Sequence, residues 1–310
     1  MQKIKIKAFT LIELLVVIAI IGILSALIVV GMSSTTQKAT IAKAQVFSNS
    51  LRNSLMDNLV SEWKLDGNTN DTWAALFANN GIWSGPTAPN TVATYGTTSE
   101  CVSGQCMDFD GVDDIIDCGN NISLSMGTKD HTVSIWAKFD SAIATGDGNA
   151  LFRTSGTQLA TYGGYLIWRY PSTSRLRIWF SDGTSNIDNF LSATGTLVAN
   201  TWYNIVVTFD RDSVIRAYIN GQVQPETLNI VALLGNIQNQ SPLTIGAYAS
   251  TYGRHDGKLD EARLFHAITT LSQIHEQYYA GLNRLLANRG VEIAEYQQRI
   301  AELKSNYAKD

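Results

Sequence analysis

Glu13 stands inside an apolar run that extends from Phe9 to Val30, where Thr10 and Ser25 are the other strongly polar residues. An ionised carboxylate near a bilayer interior costs about 2.5–3.5 kcal/mol on insertion scales, so it calls for a cationic partner. As a helix the run spans roughly 33 Å at about 1.5 Å per residue, enough to cross a hydrocarbon core of about 30 Å. Lys3, Lys5 and Lys7 precede it, and the positive-inside rule places them in the cytoplasm. A secretory signal has a shorter apolar core, about 7–15 residues, and a small-residue cleavage site after it. The sequence therefore predicts a membrane span whose acid has a task that leucine could not perform.

Other carboxylates raise the question of catalysis. Glycoside hydrolysis needs two acids about 5–9.5 Å apart across a cleft. The candidates are Asp108 with Asp110, Asp113 with Asp117, and Asp260 with Glu261. The first pair reads as a strand end and turn beside Gly111. The last two are neighbours, which on a regular strand point to opposite faces. No hydrolase arrangement emerges, and the expectation is a protein that is not an enzyme. His131, His255, His266 and His275 lack metal-ligand spacing. The stretch "DGNTND" gathers Asp66, Asn68 and Asp71 in one loop. These are oxygen ligands of the kind calcium takes, but the same residue types also make Asx turns; the loop lacks the spacing of an EF-hand.

Of three cysteines, Cys101 and Cys106 bracket the turn-forming Val-Ser-Gly-Gln. A hairpin there brings them within disulfide reach, and a domain outside the membrane permits oxidation. Cys118 is then a buried free thiol. Tyr165, Trp168, Tyr170 and Trp179 form the aromatic cluster best suited to stack on a glycan, with core packing as the competing role. With 23 basic and 27 acidic residues and a net charge of −4, no nucleic-acid partner is expected, because that needs a basic face.

The elements that must position these residues fall into three parts. Ala39, Ala42, Val46, Leu51, Leu55 and Leu59 recur at helical spacing, which predicts one helix over about 10–59, its first half in the membrane and its second half a stem. From Trp63 the pattern turns to short strands separated by Gly, Asn, Asp and Ser. Strands are predicted at 105–109, 114–118, 131–139, 150–153, 165–170, 175–181, 186–192, 202–209, 215–220, 243–248 and 258–266. In the third, Val133, Ile135 and Ala137 face one way and Thr132, Ser134 and Trp136 the other. Asn220-Gly221 is a two-residue hairpin signal. So many strands without intervening helices imply a β-sandwich or barrel. Residues 271–310 carry two apolar stripes, Ile274, Tyr278, Leu282 and Leu285, then Ile293, Tyr296, Ile300, Leu303 and Tyr307, broken by Asn288-Arg289-Gly290; this predicts a helical hairpin.

Lys7-Ala8-Phe9-Thr10-Leu11-Ile12-Glu13-Leu14-Leu15-Val16-Val17 resembles the leader and N-terminus of type IV pilins and type II secretion pseudopilins. The resemblance implies cleavage between Ala8 and Phe9 by prepilin peptidase, N-methylation of Phe9, and a role for Glu13 in assembly. Family leaders usually end in Gly, so Ala8 is a variant. Cleavage would create an ammonium at Phe9, one helical turn from Glu13. The stretches "WKLDGNTNDTW", "CMDFDGVDDIIDCG", "HTVSIWAKF", "NTWYNIVVTFD", "RAYINGQVQ" and "GKLDEARLFHAITTLSQIHEQY" resemble, in order and spacing, the laminin-G-like, concanavalin-A-like jelly roll. That resemblance implies two antiparallel sheets face to face, and brings Asp260 near the Asp66–Asn68–Asp71 loop as a fourth calcium ligand. Residues 288–310 have no counterpart in the jelly-roll core.

The expected organisation is a basic leader (1–8), a transmembrane and stem helix (9–60), a jelly-roll domain (61–281) and a C-terminal helical tail (282–310), mainly β overall. The expected function is a pilin-like subunit, inserted in the cytoplasmic membrane with its head outside and then displayed on the cell surface or pilus. Its partners would be other pilin subunits, prepilin peptidase, and a glycan or surface-protein ligand. A pseudopilin of a secretion apparatus and a membrane-anchored glycan-active enzyme are the alternatives.

Overall fold

The computed structural model describes residues 58–73, 78–87, 92–140, 148–154, 163–237, 241–248 and 253–307. The expected leader and membrane span and the expected stem helix up to residue 57, with Ala8, Phe9 and Glu13, lie outside the described residues. Among those described, no helix is long and apolar enough to cross a membrane.

Two antiparallel sheets form the body. The first runs β13(Gln222–Asn229)-β12(Val214–Ile219)-β11(Trp202–Phe209)-β6(His131–Phe139)-β15(Asp256–Phe265)-β4(Cys106–Asp110)-β3(Thr94–Gly96), and β1(Leu59–Trp63) also pairs with β15. The second runs β10(Asn186–Phe190)-β9(Arg175–Ser181)-β8(Gly164–Tyr170)-β7(Asn149–Arg153)-β14(Thr244–Ile245)-β5(Ile115–Asp117)-β2(Ile82–Ser84). The inner faces bury one core. Val133, Ile135, Ala137 and Phe139 of β6 and Ile205, Val207 and Phe209 of β11 meet Ile167 of β8 and Leu176, Ile178 and Phe180 of β9. This is the period-2 alternation expected of facing sheets. The β12–β13 hairpin turns at Asn220 and Gly221, both at positive φ (53° and 76°), the backbone that a type I′ turn requires.

Two expectations are corrected here. Leu59, assigned to the end of the stem helix, opens β1 opposite Phe265. Its spacing from Leu51 and Leu55 fits a helix, but pairing with β15 buries Val60 and Trp63 in the sandwich, and the tertiary gain overrides local periodicity. Asp260 and Glu261 do not face opposite ways. The pairing of β15 with β6 shifts register between Asp260 and Arg263, and Glu261 sits at φ 51°. This β-bulge inserts one extra residue, so Leu259 and Ala262 both reach the core while Asp260 and Glu261 lie on the outer side.

The tail is packed against the first sheet. Helices α1 (Leu271–Ala287) and α2 (Ile293–Tyr307) belong to the same compact unit as the sandwich. Thr270 and Gln273 cap α1 reciprocally, satisfying two otherwise orphaned amides. Tyr278, Leu282, Leu285 and Leu303 cover Trp136 and Trp202 on the sheet's outer face. The approach is close at Gly281, where an added Cβ would come within 2.3 Å of the Trp136 ring.

Candidate functional site

The outer face of the second sheet carries the aromatic cluster singled out from the sequence, with one exception. On β8, Leu166, Trp168 and Tyr170 point outward; on β9, so do Arg175, Arg177 and Trp179. Cross-strand pairing aligns them in rows: Thr244, Arg153, Leu166, Trp179 and Asp188 in one, Ala150, Trp168, Arg177 and Phe190 in the next, then Tyr170 with Arg175. Tyr165 is the exception. It alternates with Leu166 and so enters the core, fully buried, stacked on His131 and tilted against Phe209 at centroid distances of 5.5 and 4.7 Å. Residues i and i+2 share a strand face, so Tyr165 could not join Trp168 and Tyr170.

Trp168 and Trp179 form the floor, 7% and 6% exposed, with Ala150 and Leu166 beside them. Above the floor lies an arginine layer absent from the predicted site. The Arg177 guanidinium is 5.1 Å from the centroids of both Trp168 and Tyr170 and 5.3 Å from that of Phe190. Its Nε and Nη2 donate to the two oxygens of Asp188 at 2.9 and 2.6 Å. Arg175 covers Phe190 at 4.1 Å and donates from Nε to the Ser192 carbonyl. Arg153 lies 5.5 Å from the Tyr248 centroid. Tyr170, Arg177 and Phe190 are half-buried and Asp188 is exposed. A half-wet aromatic face edged by forked donors and a carboxylate suits a flat, hydroxylated ligand. Aromatic faces take its apolar side, and the Arg–Asp pair can bond its hydroxyls. The arginines were legible in principle, because Arg175 and Arg177 share parity with Trp179.

The residues expected to bind calcium hold loops through their side-chain oxygens. Asp71 Oδ1 accepts from the amides of Glu62 and Trp73 and its Oδ2 from that of Asn79. Asn68 Oδ1 accepts from Asn70 N in an Asx turn, and Asp66 Oδ1 from Gln105 N at 2.7 Å. Asp260 Oδ2 accepts from Val102 N and Ser103 N, while its Oδ1 is buried without a partner. Burial, then the adjoining Glu261 carboxylate, push the Asp260 pKa well up. The single group of three carboxylates within metal-sharing distance among the described residues is a different one, Asp110, Asp113 and Asp114.

The acid pairs considered for hydrolysis are likewise engaged. Asp108 pairs with Lys258 at 2.8 Å. Asp114 and Asp110 close the turn after β4 by accepting from the amides of Asp110 and Val112. Asp113 accepts from Thr87 N and Asp117 from Gly119 N.

Residues 110–275 match the Concanavalin A-like lectin/glucanases superfamily, more than half of the chain. The chain belongs to that superfamily. Residues 4–29 match the prokaryotic N-terminal methylation motif. Among curated proteins, a botulinum-like toxin of an Enterococcus species is 23% identical over 128 residues, 41% of this chain but 10% of the toxin. Among solved structures, the binding domain of Paraclostridial Mosquitocidal Protein 1 superposes with a TM-score of 0.57 at 18% identity, over 74% of this chain and 53% of that one. Domain 4 of a GH43 extracellular arabinanase from Geobacillus stearothermophilus, solved in complex with arabinotriose, superposes with a TM-score of 0.54 at 15% identity, over 71% of this chain and 97% of that one. The chain thus spans about half of the toxin binding domain and a tenth of the curated toxin.

The superfamily match ends at residue 275, inside α1. The helical tail beyond that point is tied to the sandwich through a loop closed by a disulfide, Cys101–Cys106, whose Cα atoms are 5.3 Å apart. Asn288 Nδ2 donates to the carbonyls of Cys101 and Val102, Trp202 Nε1 to that of Glu100, and Arg299 Nη1 to that of Trp202. Closing so short a loop is worth about 2 kcal/mol by chain entropy. Replacing both cysteines by alanine is expected to lower the denaturant midpoint correspondingly and to red-shift the tryptophan emission that Trp202 contributes. Cys118 is free and buried, and burial pushes its thiol pKa well up.

Proposed function

We propose that the chain is a pilin-like filament subunit whose head binds glycans through the outer face of the second sheet. The observation that carries this reading is the union, in one chain, of an N-terminal methylation motif over residues 4–29 and a lectin-superfamily sandwich with a half-exposed aromatic–arginine face. The motif supports insertion in the cytoplasmic membrane, cleavage between Ala8 and Phe9, and assembly with other pilin subunits through Glu13. An arabinan fragment bound by the arabinanase domain supports a saccharide over a protein as the head's ligand.

Two measurements test the two halves. Expressed with a prepilin peptidase, the chain is expected to begin at methylated Phe9 by mass spectrometry. Glu13→Leu should leave cleavage intact and eliminate the subunit from sheared filaments. An uncut Met1–Ala8, or normal incorporation of the Glu13 variant, refutes the assembly reading. For the head, Tyr170→Ala removes a half-exposed ring of the face and should weaken oligosaccharide binding by about five- to tenfold. Unchanged affinity would exclude this face.

A further inference from the structure

Arg153, the last residue of β7, differs from every other buried arginine among the described residues. Arg169 donates to the Leu197 carbonyl and Ser174 Oγ. Arg211 donates to the carbonyls of Gly127, Leu233 and Gly235. Arg254 donates to those of Asp113 and Asp114, and Arg299 to Glu295 and the Trp202 carbonyl. Arg153 is 8% exposed; its Nε, like those of Arg211 and Arg254, is buried without a hydrogen-bond partner, but none of its nitrogens donates to a described residue and no carboxylate among them pairs with it. Its neighbours are Leu166 and Thr244 across the strands and the Tyr248 ring.

A guanidinium stays charged at any ordinary pH. Taking it out of water without an acceptor is unfavourable, so such groups normally carry a partner. Among the described residues, the fold supplies partners to the other buried arginines and leaves this one open, at the margin of the aromatic face. The fork of a guanidinium matches a planar carboxylate. We propose that Arg153 is the carboxylate-recognising residue of the glycan face, and that the ligand is an acidic saccharide carrying a uronic or sialic acid. The saccharide chain runs from Tyr248 toward Tyr170 over the arginine layer that covers the Trp168–Trp179 floor, and the Arg177–Asp188 pair meets its hydroxyls. This rests on the glycan-binding reading of the same face.

The test uses the full chain in detergent and calorimetric titration with trigalacturonate, its methyl ester, 3′-sialyllactose, lactose and a hexaglutamate peptide. At least one acidic saccharide should bind about tenfold or more tighter than its neutral counterpart, the value of one charge-assisted fork. Arg153→Gln should remove that preference, bringing the acidic saccharide down to the affinity of its neutral counterpart. Equal affinity for acid and neutral forms, an undiminished preference in the variant, or tighter binding of the peptide overturns the proposal. The acid-against-ester comparison varies only the ligand and needs no variant to fold. Neutral sugars that bind and are lost in Tyr170→Ala, without any acid preference, sink this inference alone. No binding of any saccharide sinks the glycan reading as well.

Discussion

Replacing Arg263 with methionine is expected to lower stability by about 3–5 kcal/mol, the loss typical of removing one partner of a buried ion pair. Arg263 lies on β15 between two buried acids, Glu62 of β1 and Glu261 at the bulge. Its Nε donates to Glu62 Oε1 at 3.0 Å and its Nη2 to Glu261 Oε2. Their side chains are 3% and 4% exposed. Burial works against ionisation of Glu62, but the Arg263 charge, the Thr72 hydroxyl and Lys64 outweigh it and hold its pKa low. Without Arg263, the ion pairs among the described residues leave Glu62 with Lys64 at 4.0 Å and Glu261 with the half-exposed Arg284 at 3.5 Å. The loss should be strongly non-additive. Changing Glu62, Glu261 and Arg263 together to methionine removes the stranded charges and should recover most of the stability, because apolar packing replaces a buried network at little net cost. Denaturant melts of the single and triple variants decide the matter. A loss below about 1 kcal/mol in Arg263→Met, the range of exposed pairs, would mean that water reaches the network.

The features legible in the sequence are those set by forces that act locally. Strands β6, β9 and β11 have the predicted bounds because long apolar alternation leaves one register that buries a face. The helical break at 288–290 was legible because Gly and Asn stop helices whatever surrounds them. β13 is signalled in the sequence by the Asn220-Gly221 hairpin turn alone, because its composition is polar and contains Pro225; it is an edge strand, where a missing N–H costs nothing. The bulge at Glu261 could not be read, since it is fixed by pairing with β6 rather than by neighbouring residues. At the site, Trp168, Tyr170 and Trp179 were legible as aromatic types, and strand parity could have removed Tyr165 and added Arg175 and Arg177. Arg153 carries no such signal. Its interest lies in the acceptor it lacks, which only the packed structure reveals.

The second large effect concerns acid. His131 is clamped against Phe209, ring centroids 4.2 Å apart, and against Tyr165; its Nδ1–H donates to the Lys129 carbonyl, and Nε2 is buried without a partner. Burial, reinforced by Arg211 and His266 against the effect of that hydrogen bond, lowers its pKa to about 3. His255, packed against Phe109 and Phe139, is lowered to about 3 for the same leading reason. Both imidazoles are neutral in the native state and ordinary, near 6.5, once unfolded. The unfolded chain therefore binds more protons between pH 6.5 and pH 3, and native stability falls as pH falls through that window. Each histidine should withdraw about 3 kcal/mol between pH 7 and pH 4. Asp260 acts in the opposite sense, because its raised pKa favours the protonated native form on acidification. The test is therefore a difference between proteins. His131→Phe keeps the stacked ring, removes the titrating group and the unsatisfied nitrogen, and loses one hydrogen bond worth about 1 kcal/mol. It should lie within about 1 kcal/mol of the wild type at pH 7 and exceed it by about 2–3 kcal/mol at pH 4. Parallel stability–pH curves for the two proteins would show that His131 takes up its proton without unfolding, and that the core around Phe209 admits water.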